Sequence, residues 1–268
     1  MSIFKSMTRR GAGVAITVCA ATTTVLVAAS PALAAPVIVN GGFDTAPGQG
    51  STEFGTRYAG QVVPGWTTTG YNFVFLAGTA DTTGAANEYS TVPLKLWGPG
   101  TKDASGNFVL NGLTPASPAG GNFIAADGAF GEAPIQQTIT GLTVGSTAKV
   151  SFYYAGAQQF GYDGTTTDAW SVTLGNQTVK TDVLPNVSHG FTGWKQATLS
   201  FVVTNATEVL SFLAVGTPAG VPPFSLLDDV SISQVAQVPE PTSLALLGVF
   251  LGGTGWVARR HRQRRQAA

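Results

Sequence analysis

The chain has 268 residues, and its 14 Lys and Arg balance its 14 Asp and Glu. The balance is local nowhere: residues 35–237 carry six basic side chains against thirteen acidic ones, while the remaining basic residues crowd the two ends. An acidic middle excludes nucleic acid and anionic lipid as partners, because both need basic patches.

Lys5, Arg9 and Arg10 precede an apolar stretch from Gly11 to Ala29, and Ala32-Leu33-Ala34 follows. This order predicts a secretory signal peptide over residues 1–34, with a helical apolar core, cut after Ala34. A cut after Ala35 would leave Pro36 first. The Arg9-Arg10 pair raises twin-arginine export, which the residues after it fit poorly. Cys19, the only cysteine, lies midway through the apolar run, so it is not placed as a lipoprotein anchor. The mature domain then has no disulfide, and one histidine, His189, to offer zinc or a general base. Its carboxylates remain available to a hard cation such as calcium.

Residues 35–237 are enough for one domain with a substantial core. Short alternating runs separated by Gly, Pro, Asn and Thr predict an all-β chain folded as an antiparallel β-sandwich. Val150, Phe152 and Tyr154 share one strand face, with Ser151 and Tyr153 on the other. Trp170, Val172 and Leu174 repeat this pattern, as do Leu199, Phe201 and Val203, then Leu210, Phe212 and Ala214. Gly141 to Gly145 is turn chemistry between two of these strands. Residues 53–120 read as a loop-rich insertion: Tyr71–Leu76 and Leu94–Trp97 suggest strands, and 102–121 a long loop. No fixed-period repeat is present, which argues against propellers and solenoids.

Asn40-Gly41-Gly42-Phe43-Asp44 and Pro64-Gly65-Trp66 open the domain, and Leu227-Asp228-Asp229-Val230 closes it. Between them lie Gln136, Ile139-Thr140-Gly141-Leu142, Val150-Ser151-Phe152 and Gly193-Trp194. The ordered set resembles the galactose-binding-like jelly rolls, especially carbohydrate-binding modules that open Asn-Gly-x-Phe-Glu and close Leu-Asp-Asp-Val. The resemblance implies a jelly roll and a structural calcium held by Asp44 and Asp228, with Asp44 standing where Glu is more usual. Parity adds that Asp228 shares a strand face with Leu226, Val230 and Ile232, where a carboxylate needs a partner. The alternative is that Asp228 accepts backbone N–H bonds and binds no metal.

A sugar site needs aromatic platforms and a few polar groups in a concave region. Tyr71, Trp97 and Tyr162 are the candidate platforms, and Gln158, Gln159 and Asp163 the candidate polar groups, centred on the loop from Ala155 to Asp168. Trp66 and Trp194 read as core. A glycosidase would instead pair two carboxylates from Asp127, Glu132, Asp163 and Asp168, which sequence cannot place at the required separation. Ser188 and His189 are adjacent, and so do not face each other as nucleophile and base. No catalytic residue is assigned, and the domain is read as non-enzymatic.

The chain closes with Pro239-Glu240-Pro241, an uncharged apolar run over about 242–258, and an arginine-rich tail beginning Arg259-Arg260. The run is long enough to span a bilayer as a helix, and the arginines hold its far end in the cytoplasm. The order resembles the C-terminal sorting signal of PEP-CTERM surface proteins, and Asn122 to Gly128 resembles a segment recurrent among them. The resemblance implies an exosortase-type processing partner near Pro239-Glu240-Pro241. It also implies a single-pass inner-membrane intermediate, then the surface or extracellular matrix of a Gram-negative bacterium. The leading expectation is a surface protein whose jelly roll contacts exopolysaccharide, with no cofactor beyond calcium. A ligand-free structural component and a carbohydrate-active hydrolase are the alternatives.

Overall fold

The computed structural model describes residues 35–45, 50–55 and 62–235. The predicted signal helix, the apolar helix over 242–258 and the terminal residues Pro239 to Pro241, Arg259 and Arg260 lie outside the described residues.

Eleven strands and no helix occur among the described residues. In chain order they are β1 (Thr52–Phe54), β2 (Asn72–Phe75), β3 (Phe123–Asp127), β4 (Ile135–Thr140), β5 (Thr147–Gln158) and β6 (Thr166–Leu174). They continue with β7 (Gln177–Lys180), β8 (Leu184–Asn186), β9 (Lys195–Val202), β10 (Thr207–Thr217) and β11 (Pro223–Val235). One sheet runs β1-β2-β3-β11-β5-β9, and the other β4-β10-β6-β7, with β8 also on β6. All these pairings are antiparallel. β7 and β8 follow one edge of β6 in turn, joined where Thr181 N donates to Trp170 O. From β3 onward the chain keeps crossing between the sheets, giving orders β3-β11-β5-β9 and β4-β10-β6-β7/β8. This is jelly-roll topology, and β1 and β2 extend it at the β3 edge.

The alternating runs form the interface between the sheets. Val150, Phe152, Trp170, Val172, Phe201, Leu210 and Phe212 are buried there. Phe212 meets Phe152 edge-on at 5.1 Å and 86°, and Trp170 at 6.1 Å and 85°. The Trp170 indole N–H donates to Leu226 O, so the largest core side chain also ties one sheet to the other. Trp66 is core too, donating its N–H to Asn40 O.

The six-stranded sheet is apolar on part of its outer face as well. Phe73, Phe75, Phe123, Ala125, Ala155, Phe224 and Leu226 form a second core with Ala80, Ala85, Leu94, Leu96 and Leu113. Residues 76–121 are thus a cover laid over the sheet. It has no strand of its own: the expected strand at Leu94–Trp97 is a series of isolated contacts. Leu94 pairs with Ala85, Leu96 N donates to Ala80 O, and Trp97 N donates to Gln158 O. Each residue has a different partner segment, so no ladder propagates.

Parity fails in β11. The register slips between Asp228 and Ser231, and Asp229 takes φ 51°. Such a bulge flips the faces beyond it. Leu227 and Val230 both enter the inter-sheet core, while Leu226 enters the outer one. Asp228 therefore shares its side with Phe224 and Leu226 and is parted from Val230 and Ile232, contrary to strict alternation.

Candidate functional site

The cover closes the outer face of the large sheet around β2, β3, the end of β5 and the start of β11, while Lys149, Thr198, Ser200, Ser231 and Ser233 on the rest of that face stay exposed. At one rim β3 and β5 end and β11 begins, and the chain there encloses a cleft of about 520 Å³. Its aromatic residues are Tyr71, Tyr89, Phe130, Phe160 and Tyr162, and its polar ones include Asn87, Ser90, Lys95, Asp127 and Gln159. Tyr71, Tyr89 and Phe130 form an edge-on cluster with centroids 5.4, 5.8 and 6.5 Å apart. Tyr71 in turn packs edge-on to Phe73 of the outer core at 4.7 Å. Tyr89 is 65 % exposed, and Phe130, Phe160 and Tyr162 are 39–41 % exposed. Tyr89, Phe130, Phe160 and Tyr162 thus present aromatic surface to water around the cleft.

Asp127 organises the rim. It closes β3, and its Oδ1 accepts N–H bonds from Ala129 (2.8 Å) and Phe130 (3.0 Å), fixing the turn that presents the Phe130 ring. Burial pushes its carboxyl up to about 7, against those two hydrogen bonds, and the Glu132 charge adds to the rise. Asp168 is 1 % exposed, and burial raises its carboxyl well above the usual range; the Asp127 charge adds to this. Ser225 and Thr166 oppose the rise.

Three of the six residues expected to contact ligand, Tyr71, Gln159 and Tyr162, line the cleft. Gln158 does not: it is fully buried, donating to Gly164 O and accepting from His189 N, so its amide is committed to holding the loop. Trp97 is 4 % exposed and acts as a strut. Its N–H donates to Tyr162 O, and its ring stacks on His189 at 3.8 Å. Asp163 lies outside the cleft lining, its Oδ1 2.5 Å from His189 Nε2. Sequence reasoning missed Tyr89, Phe130 and Lys95. Phe130 had a signal, a bulky aromatic flanked by Gly128 and Gly131 where no strand could bury it. Tyr89 and Lys95 sit in the aperiodic cover and had none.

Asp44 and Asp228 are brought together at a different place. A Cβ on Gly42 would stand 3.3 Å from Asp44 Oδ2 and 3.9 Å from Asp228 Oδ1. Asp44 Oδ1 accepts from Asn122 N. Asp228 accepts from Ser117 Oγ at 2.5 Å and from its neighbour Asp229 N at 2.6 Å. Burial pushes the Asp228 carboxyl up to about 7, and the charges of Asp229 and Asp44 add to the rise. A cation would relieve this crowding, and Asp44 Oδ2 is turned toward the same glycine. Among the described residues no group of three His, Cys, Asp or Glu forms, so backbone carbonyls and water would complete the six to eight oxygens calcium takes.

Residues 237–263 match the family model of the PEP-CTERM protein-sorting motif. The motif marks an exported protein, processed by an exosortase at the membrane and passed to the cell surface. No curated protein matches the chain. Among solved structures, the enzymatically active domain of bacteriophage CBA120 tailspike protein 4 is similar over 74% of this chain, at 12% identity and TM-score 0.33. The match covers 21% of the tailspike chain, so this chain spans about a fifth of that relative's length. The CBM22-1 xylan-binding domain of Paenibacillus barcinonensis Xyn10C is similar over 77% of this chain and 99% of its own, at 11% identity and TM-score 0.34. The N-terminal cellulose-binding domain of Cellulomonas fimi β-1,4-glucanase C is similar over 75% of this chain and 98% of its own, at 14% identity and TM-score 0.31.

The Asp127 carboxyl has a pH consequence. Its folded pKa lies above the unfolded value, so between about pH 4 and 7 the native state binds more protons than the unfolded chain. The stability this contributes is complete at low pH and is lost as pH rises through about 7. Asp127→Asn keeps an oxygen for Ala129 and Phe130 and should flatten part of that fall. Denaturant midpoints at about pH 4 and about pH 8 check this, and an unchanged difference in the variant would contradict it.

Proposed function

We propose that this domain is a non-catalytic carbohydrate-binding module, working outside the cell on polysaccharide, including exopolysaccharide of the producer's own matrix. The observation that carries the reading is the cleft: exposed aromatic rings on its walls, with amide, hydroxyl and ammonium groups between them. Pyranose rings stack their C–H faces on aromatics and present hydroxyls to such polar groups. Among the described residues Asp127 is the one acidic residue lining the cleft, whereas glycoside hydrolysis needs a facing carboxylate pair. The sorting motif supplies the address at which such a module meets its ligand.

A polysaccharide array probed with the full-length chain tests this reading. Tyr89→Ala and Phe130→Ala should each weaken binding by about tenfold, because truncating a central aromatic contact costs more than 1 kcal/mol. Trp97→Phe, which alters a buried strut, should change stability more than affinity. Binding that survives the loss of both rim aromatics would move the site elsewhere.

We propose further that Asp44 and Asp228 hold a structural calcium that ties the opening segment to β11. The crowding of two carboxylates at Gly42 supports it. Calcium at a hundred times its Kd would add about 2.7 kcal/mol of stability, several degrees in a domain of this size. Chelator should lower the melting midpoint of the wild type and leave Asp228→Asn unmoved. Identical wild-type curves with and without chelator, in protein then shown to be metal-free, would refute the site.

A further inference from the structure

Lys95 lies between Leu94 and Leu96, both buried in the outer core, and is itself half-buried. Its carbonyl accepts the Phe160 N–H at 2.9 Å, which fixes the backbone where the two walls of the cleft meet. Among the described residues it is the only basic one lining the cleft. No carboxylate among the described residues lies within salt-bridge distance of Lys95, the one such contact there being His189 Nε2 with Asp163. The acid nearest in role, Asp127, turns its Oδ1 to the Ala129 and Phe130 N–H groups instead.

We propose that Lys95 makes the cleft selective for carboxylate-bearing sugars, so that its ligand is a uronic-acid-containing polysaccharide. The inference rests on the carbohydrate reading and narrows it to a substrate class. An ammonium on the wall of a cleft forms a charge-assisted hydrogen bond with an anionic partner, stronger than one to a neutral hydroxyl. Asn87, Ser90 and Gln159 are neutral and suit hydroxyls. The acidic surface elsewhere does not oppose this at the point of contact, because charges beyond about 8 Å are largely screened at physiological salt. The Asp127 carboxyl, held up to about 7 by burial, carries less than a full charge at neutral pH.

The test measures binding of the full-length chain to polygalacturonate, alginate and glucuronan, each beside its carboxyl-reduced counterpart. At least one acidic member should bind about tenfold tighter than its reduced form, and added salt should erode the difference. Lys95→Met, which keeps the aliphatic stem, should bring the acidic form down to the level of the neutral one. Lys95→Arg should restore the preference. Equal binding within every pair, or a preference that survives Lys95→Met, overturns the selectivity and leaves the carbohydrate reading standing. No binding to any of the six polymers overturns the uronic-acid assignment, and silence across the whole polysaccharide array overturns the carbohydrate reading as well.

Discussion

β11 is the strand on which the rest of the molecule depends. It pairs with β3 on one side and β5 on the other, and it is buried between two separate cores. Leu226 serves the outer core and Leu227 the inner, one residue apart. A strand covered on both faces and paired on both edges has no exposed backbone to satisfy with water, so its position is over-determined. The bulge after Asp228 lets this strand leave the doubly covered zone: beyond it, even-numbered residues face inward and odd ones face solvent.

That double coverage decides where a ligand can sit. The inner face of the large sheet is filled by β4, β6 and β10, and its outer face around β2, β3, the end of β5 and the start of β11 by residues 76–121. The exposed face of the smaller sheet carries short side chains such as Thr138, Ser171, Thr173 and Thr178, and no aromatic platform. The rim is where the cover, the β3 turn and the β5–β6 loop converge, and these three segments, with Tyr71 just before β2, supply the aromatic walls. Asp127 connects the fold to the site, closing a core strand while orienting Phe130. Its raised carboxyl follows from burying a carboxylate at the end of a core strand.

Much of the sandwich was legible because its strands alternate. Val150 to Tyr154, Trp170 to Leu174 and Leu210 to Ala214 each bury one face, as period-two patterning requires. The jelly-roll class was read from the opening and closing motifs, and the strand order bears it out. Parity could not foresee the β11 bulge, since Asp229 in a left-handed conformation leaves no pattern in the sequence. Nor could it resolve the cover: Leu94 and Leu96 are buried without a ladder, by contacts from three different segments. The site was legible in part for the same reason. Tyr71, Gln159 and Tyr162 flank recognisable strands, whereas Tyr89 and Lys95 belong to the cover. Gln158 and Trp97 have the composition of ligand groups, but buried hydrogen bonds claim them.

The central claim is that the cover and the sandwich form one cooperative unit through the doubly buried sheet. Native-state hydrogen exchange on the wild type and on Leu96→Ala tests it most directly. Leu96 is fully buried in the outer core, so its truncation should cost about 2–5 kcal/mol. The account predicts that the amides of β3, β5 and β11 are the slowest to exchange and lose protection together by that amount. Loss confined to residues 76–121, with the sheet amides unchanged, would contradict it.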